Sequence, residues 1–465
     1  MVIKIKTSFE EHQAGAKPTF YGPQSIPPPP GSLGDVRPTH IPALVIPPVN
    51  TSVFLTLSPF NPVDHAGLAD ETSIPAAFDW GHPNTGDTPE ITAKKKLISG
   101  PGNQALCGSC WAIAGASIIS DNFVVSGLVK WPPNLSTTWT LACNPQHQCG
   151  GGNPQEMFND VAANGITTNH CVDYSWCSED PDCNGQATKH FQKNKTPVGA
   201  ADLNKRIPSC GCYYGDDDHL VYRIDAKPQA IAINPSDDSN KSTLQMTIKR
   251  HVYTKGPALG AFLVFKNFMK GDFTKMNGGV YLENGVYTGS EVTFDNSQSS
   301  SDNYVGGHAV SIVGWGVAKN ILVDTGKRDD VPYWYARNSW TTKWGNDGGY
   351  FKMAMWPWNK TSVFDATVVL QDPAGPKKGG GVVLISASKP PTKEKLDTIS
   401  THGELSQPTS YYTSDPETDT GGGGTDFKVD WKGILTILVP ILIVCSLFYL
   451  VRRSCADSDG ASWRG

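Results

Sequence analysis

Cys107, Gly108, Ser109 and Cys110 form a short turn-like segment that opens on an apolar, small-residue run, Trp111 to Ile119. A run this free of charge predicts a helix buried on most sides, crossing the middle of a large domain. Cys110 then falls in its first turn, where unpaired N–H groups and the positive end of the helix dipole favour a thiolate. A free cysteine titrates near about 8.5, and a helix N-terminus with an imidazolium neighbour brings it to about 3.5–7.5. Cys110 is therefore placed as a nucleophile. Two structural uses of the Cys-x-x-Cys spacing stay open: a Cys107–Cys110 pair, or half of a zinc site. A zinc ribbon needs a second Cys-x-x-Cys or a histidine pair, and Cys210-Gly211-Cys212 is too tight for that.

Gln104-Ala105-Leu106-Cys107-Gly108-Ser109-Cys110-Trp111 resembles the active-site signature of papain-like cysteine proteases, the family that includes the cathepsins. The resemblance implies Cys110 as nucleophile and Gln104 as an oxyanion-hole donor; the family usually has glycine where this chain has Ala105. A thiolate of this kind needs a base that later serves as acid, and a group that orients it. Among eleven histidines, His308 stands out, with Gly306-Gly307 before it and the apolar strand Ala309 to Trp315 after it. It is similar to the family's second motif, and its structural alternative is a core histidine on a strand. Asn338-Ser339-Trp340 is similar to the third motif, which implies that Asn338 holds the His308 ring and Trp340 shields that bond from water. By the same resemblance Gly151 and Gly152, after Cys149-Gly150, meet an extended substrate backbone, and Trp340 is counted with them at the substrate. Three consecutive glycines let a backbone approach closely.

What the resemblance implies is an α+β, two-subdomain papain-like fold, helical in one half and β-rich in the other, with the active-site cleft between. It also implies a cysteine endopeptidase acting on protein or peptide substrates, without metal or organic cofactor, and open to cystatin-type inhibitors. The cathepsin B branch carries adjacent histidines for exopeptidase action; His190 and His219 are isolated, so none is assigned. Two other functions stay open: a membrane-tethered binding or structural protein that keeps the fold without turnover, and a transferase or ligase passing the same acyl-thioester to an amine.

The elements that must position these residues read in the same order. Residues 155–165 predict a helix with Met157, Phe158, Val161 and Ala162 on one face, and Ser242 to Val252 another. Strands are expected at 258–264, over 265–269 and 278–281, from Asn303 to Trp315 and from Tyr333 to Trp340. Lys94-Lys95-Lys96 is read as part of a polar loop and 317–331 as a polar connection. Helices first and strands later suggest α+β. The chain divides into a proline-rich extension or propeptide (1–73), the protease-like domain (74–372), a Gly/Pro/Ser/Thr-rich linker (373–432), an apolar run (433–451) and a short tail (452–465).

Of 465 residues 18% are charged, and the net charge is −5 with no basic block, which excludes nucleic acid as a partner. With Cys110, Cys445 and Cys455 set aside, eight of the eleven cysteines fall between 107 and 212. That cluster suggests an oxidising compartment and up to four disulfides, with 105 pairings open. The resemblance implies Cys107 with Cys149, and Cys143 with a cysteine after 170.

Residues 433–451 are uncharged between Lys432 and Arg452-Arg453, long enough for a single membrane span. The disulfides and the sequons Asn134-Leu135-Ser136 and Asn359-Lys360-Thr361 point to a lumenal, extracellular or virion-exterior domain. Met1 to Lys6 is too short and charged for a secretory signal, which points instead to a tail anchor with a cytosolic domain. A start-truncated chain, or a virion-membrane protein of a large DNA virus, reconciles the two.

Overall fold

The computed structural model describes residues 2–3, 74–144, 148–180, 183–184, 199–215, 217–226, 228–231, 241–360, 364, 369–370, 377–378 and 381–399. In chain order the elements used below are β1 (Phe78–Asp79), α1 (Pro89–Lys95), α2 (Cys110–Val125), α3 (Thr137–Cys143), α4 (Pro154–Asn164), β2 (Asp218–Val221), β3 (Gln229–Ile231), α5 (Lys241–Lys255), β4 (Ala258–Phe265), β5 (Val280–Tyr281), β6 (Tyr304–Asp324), β7 (Lys327–Arg337), β8 (Tyr350–Ala354), β9 (Gly381–Leu384) and β10 (Thr392–Leu396).

The fold is α+β, with helices gathered in one half and a large sheet in the other, as the resemblance implies. In α2 only Ile113 and Ser117 keep partial exposure, as a helix apolar on every side must. It stops at Gly127, whose φ of 72° lets Gly127 N–H reach Val124 O and Leu128 N–H reach Phe123 O. That doubly bonded stop needs a left-handed residue, which glycine supplies without a Cβ penalty. In α4, Asn153 accepts from Gln155 N–H, Pro154 opens the helix, and Met157, Phe158 and Val161 are buried as expected. Met157 lies so close to Gly115 that a Cβ there would sit 2.3 Å from its Sδ. These helices enclose one core, with Trp111, Phe123, Trp139 and Phe158.

The second core lies on an eight-stranded sheet in the order β3-β9-β4-β6-β7-β8-β5, with β1 pairing β6 off that path. Its aromatics include Phe262, Phe268, Trp334, Trp340 and Trp344. Four disulfides, Cys107–Cys149, Cys143–Cys210, Cys171–Cys212 and Cys177–Cys183, stitch the helical half. With Cys107 joined to Cys149, neither the Cys107–Cys110 pair nor the zinc half-site exists.

Several sequence expectations need correction. The Lys94–Lys96 stretch is mostly helical, in α1, and Lys95 is buried, 2.8 Å from Asp87. Residues 266–269 form a helical turn rather than a strand, with Phe268 turned into the core. The polar connection at 317–331 is the far end of a long hairpin, in which β6 and β7 turn at Gly326 (φ 70°). Ala318, Ile321, Val323 and Val331 there bury against Val280 and Leu282 in a small third core, an alternation hidden under a polar average.

The largest correction concerns 373–432, assigned to a linker. Within it β9 pairs with β3 on one side and β4 on the other, and β10 pairs antiparallel with β2. Val382 and Leu384 belong to the sheet core, Val383 and Ile385 to the helical core. A strand buried on both faces reads as an unbroken apolar run, and Val382 to Ile385 is one, framed by glycines and by Lys389-Pro390-Pro391. Among the described residues no helix is long and apolar enough to cross a membrane; the run at 433–451 lies outside them, as does nearly all of the 1–73 extension.

Candidate active site

Cys110 is the first residue of α2, buried, and outside every disulfide. The field of a buried sixteen-residue helix acts at that position. The loop before it is held from the other half of the molecule. Asn103 bridges to Trp340, and Gln104 N–H donates to Ser339 O at 3.0 Å. The Gln104 carboxamide is fixed at both ends. Its Oε1 accepts from Ser339 Oγ (2.7 Å) and Trp340 Nε1 (3.0 Å), and its Nε2 donates to Cys107 O (3.1 Å). Ala105, where the resemblance expects glycine, holds a left-handed φ of 52°, with its N–H donating to Asn103 Oδ1.

His308 sits near the start of β6, opposite Phe262 of β4. Its Nε2 lies 2.8 Å from Asn338 Oδ1. The same Oδ1 accepts the backbone N–H of Ser339 at 2.8 Å. A backbone N–H only donates, so that atom is the carboxamide oxygen, and His308 Nε2 must donate to it. The proton is thereby fixed on Nε2. Nδ1 is left as the atom for proton traffic, buried and without a hydrogen-bond partner among the described residues. The Trp340 indole stacks on the imidazole at 4.6 Å and 24°, and Phe262 meets it edge-on at 5.8 Å. Burial pulls the His308 pKa down to about 4, against the opposing pull of the Asn338 bond. A lone imidazolium is thus disfavoured here unless an anion accompanies it.

Helix and sheet meet in a common register. Ser117 Oγ lies 3.4 Å from Ser311 Oγ, and farther along both elements Asn122 Nδ2 donates to Pro257 O beside the Ala258–Ile312 pair. Seven residues back along a helix is about 10.5 Å, and three back along a strand is about 10 Å. Cys110 and His308 therefore stand at the same end of the contact.

Two residues of the expected substrate set gain a structural reason. Gly151 has φ 111°. A Cβ on Gly152 would fall 2.3 Å from Cε2 of Trp111. Gly152→Ala is expected to cost about 1–3 kcal/mol, the usual range for overpacking, read as a drop in the denaturant midpoint. An unchanged midpoint would refute the packing account. The third, Trp340, is corrected: its indole is enclosed by His308, Phe268, Trp344 and Gln104, so it supports the site from beneath and does not wall a cleft.

Sequence reading missed Asp121 and Arg337. Arg337 Nη2 lies 2.8 Å from Asp121 Oδ2, both fully enclosed. Arg337 also donates to Ser99 O, Ser117 Oγ and Ser311 Oγ, and Asp121 accepts Ser99 N–H. The pair ties α2 to β6 and β7, one residue before Asn338. Its signal was legible: Asp121 is the first charge after a long apolar run, and Arg337 interrupts an aromatic strand.

A reduced cysteine heading a buried helix, joined by its preceding loop to the segment whose asparagine holds a buried imidazole, places the chain in the class of thiol peptidases. Comparison with known proteins gives the family. The papain family cysteine protease model matches residues 75–368. The chain is 44% identical over 375 residues to "Probable cysteine proteinase 024R" of Invertebrate iridescent virus 3, covering 77% of this chain and 75% of that protein. It is 42% identical over 371 residues to "Probable cysteine proteinase 361L" of Invertebrate iridescent virus 6, covering 74% and 67%. Among solved structures, procathepsin B S9 from Trypanosoma congolense aligns over 73% of this chain and 87% of its own, at 20% identity and a TM-score of 0.39. The chain belongs to the papain family of cysteine proteases.

Proposed function

We propose that the chain hydrolyses peptide bonds by acyl transfer through Cys110. His308 carries the proton, Asn338 holds the ring, and Gln104 with the Cys110 N–H receives the oxyanion. The observation that carries this reading is the 2.8 Å bond from His308 Nε2–H to Asn338 Oδ1, sealed under Trp340. The thiol proton moves to His308 Nδ1, and the thiolate attacks the scissile carbonyl carbon. Charge on the carbonyl oxygen is met by the two donors, an effect worth about 2.7–4 kcal/mol per donor in other hydrolases. Collapse of the intermediate expels the amine, which takes the Nδ1 proton. Nδ1 then draws a proton from water, whose oxygen attacks the thioester and frees the acid and Cys110. Gly151 and Gly152 line the path of the substrate backbone, and cystatin-type proteins are the expected inhibitors.

The apolar run 433–451 serves in this reading as a single-pass anchor. The four disulfides support a domain on the lumenal, extracellular or virion-exterior side, and the viral relatives favour the last. The two sequons divide sharply. Asn134 is exposed at a left-handed turn. Asn359 is buried, its amide donating to Tyr281 O and Ala354 O and accepting from Glu283 N–H. A chain that folds in a glycosylating lumen is expected to carry an enzyme-removable glycan at Asn134 and none at Asn359. Unglycosylated protein from such cells would remove the lumenal assignment.

The deciding experiment treats the full chain with a thiolate-selective epoxide, beside Cys110→Ala, and maps the adduct by mass spectrometry. Labelling at Cys110 together with peptide cleavage is expected. Folded protein that neither labels nor cleaves would overturn the reading.

A further inference from the structure

Ser109 occupies the N-cap of α2, yet its hydroxyl caps nothing. A serine there ordinarily accepts an N–H of the first turn, a contact worth about 1 kcal/mol. Ser109 Oγ turns instead to the phenol of Tyr174, at 2.7 Å. The phenol donates to the backbone carbonyl of Gln104 at 3.1 Å. One hydroxyl has one proton to give, so Ser109 donates to Tyr174 and Tyr174 to Gln104. This relay joins the residue before the nucleophile to the backbone of the carboxamide donor.

The mount for the phenol is stiff. Tyr174 lies between Cys171 and Cys177, which are tied to Cys212 and Cys183. Trp176 packs edge-on against its ring at 5.2 Å and donates to Thr138 Oγ1. Cys183 O accepts Leu106 N–H at 2.8 Å, so the same segment grips the 104–107 loop a second time. Burial, and charge on the neighbouring Cys110, push the Tyr174 phenol well above its ordinary value. It stays a neutral donor wherever the thiolate exists.

We infer that Tyr174 is a positioning residue for the oxyanion donors, fixing the Gln104 backbone and the Ser109–Cys110 peptide at one spacing through its single hydroxyl. The inference rests on the catalytic reading of Cys110 and Gln104. Its consequence is selective: steps that place charge on a carbonyl oxygen need the relay, and simple alkylation of the sulfur does not.

The test is Tyr174→Phe in the full chain, which keeps the ring against Trp176 and removes the hydroxyl. We expect kcat for peptide hydrolysis to fall about tenfold with KM nearly unchanged. Affinity for a peptide aldehyde, whose hemithioacetal oxygen occupies the oxyanion position, should weaken by a similar factor. The rate of epoxide alkylation at Cys110 should stay within about twofold. Ser109→Ala, which removes the other end of the relay, should show the same pattern more weakly and stands in if Tyr174→Phe does not fold. Unchanged kcat and aldehyde affinity would overturn the inference. So would a parallel loss of hydrolysis and alkylation, which marks a general structural defect. Failure of the wild-type chain to alkylate at Cys110 would instead bring down the catalytic reading beneath it.

Discussion

Replacing Cys110 by alanine is expected to remove peptide hydrolysis, with kcat falling on the order of 10⁶-fold, the scale seen when a hydrolase loses its nucleophile. The fold should survive, because a thiol and a methyl at the head of α2 differ little in volume. The same variant isolates a second effect. With no thiolate beside it, His308 keeps the low pKa, about 4, that burial imposes, against about 6.5 in the unfolded chain. Between those values the unfolded state binds the additional proton, so stability rises with pH across that window and is lost on acidification from about 6.5 to about 4. The loss amounts to about 3 kcal/mol. In the wild-type chain the thiolate proposed above is expected to accompany the imidazolium and to lift the His308 pKa above that of the variant. Ring-proton titration by NMR reads the difference directly. Equal titration in the two proteins would show that sulfur and ring do not share a proton, and retained hydrolysis in Cys110→Ala would remove the cysteine from the mechanism.

The largest stability effect is expected at the buried pair. Asp121→Leu or Arg337→Met alone leaves an enclosed charge without its counterion, a change that costs about 3–5 kcal/mol. The double replacement should recover most of that loss, because the desolvation cost disappears with both charges. Denaturant unfolding of the two single variants and the double one measures the coupling. Single losses under about 1 kcal/mol would show that the pair is not what holds α2 against the sheet. Because Arg337 directly precedes Asn338, the single variants should also lose hydrolysis at denaturant concentrations too low to unfold them.

The site was far more legible than the frame around it. Gln104, Cys110, His308 and Asn338 each sit in a local pattern of residue types, and patterns survive without coordinates. Asp121 and Arg337 carried a local signal, a charge in apolar surroundings, but their partnership spans 216 positions, and no periodicity reports that. Tyr174 carried no signal, since its role rests on a hydroxyl aimed at a loop seventy positions away. The 317–331 hairpin was hidden by averaging, its inward residues outvoted by exposed neighbours. β9 failed for another reason. Glycines and prolines mark where a chain turns, and four apolar residues between such marks are too few to tell a strand from a spacer.

The insertion of β9 between β3 and β4 has a consequence in time. Strand β4 ends at Phe265 and the strand that covers one of its edges begins at Gly381. At about 5–20 residues per second of synthesis, that edge waits roughly 6–23 s for its neighbour. During the wait Leu259, Gly260 and Ala261, whose later partners are Val383, Val382 and Gly381, present unpaired backbone groups of the kind that recruit other chains. Release of a chain cut at residue 372 would make the wait permanent. Slowed elongation before residue 384 is therefore expected to raise aggregation of the nascent chain, and a chaperone that shields a sheet edge to lower it.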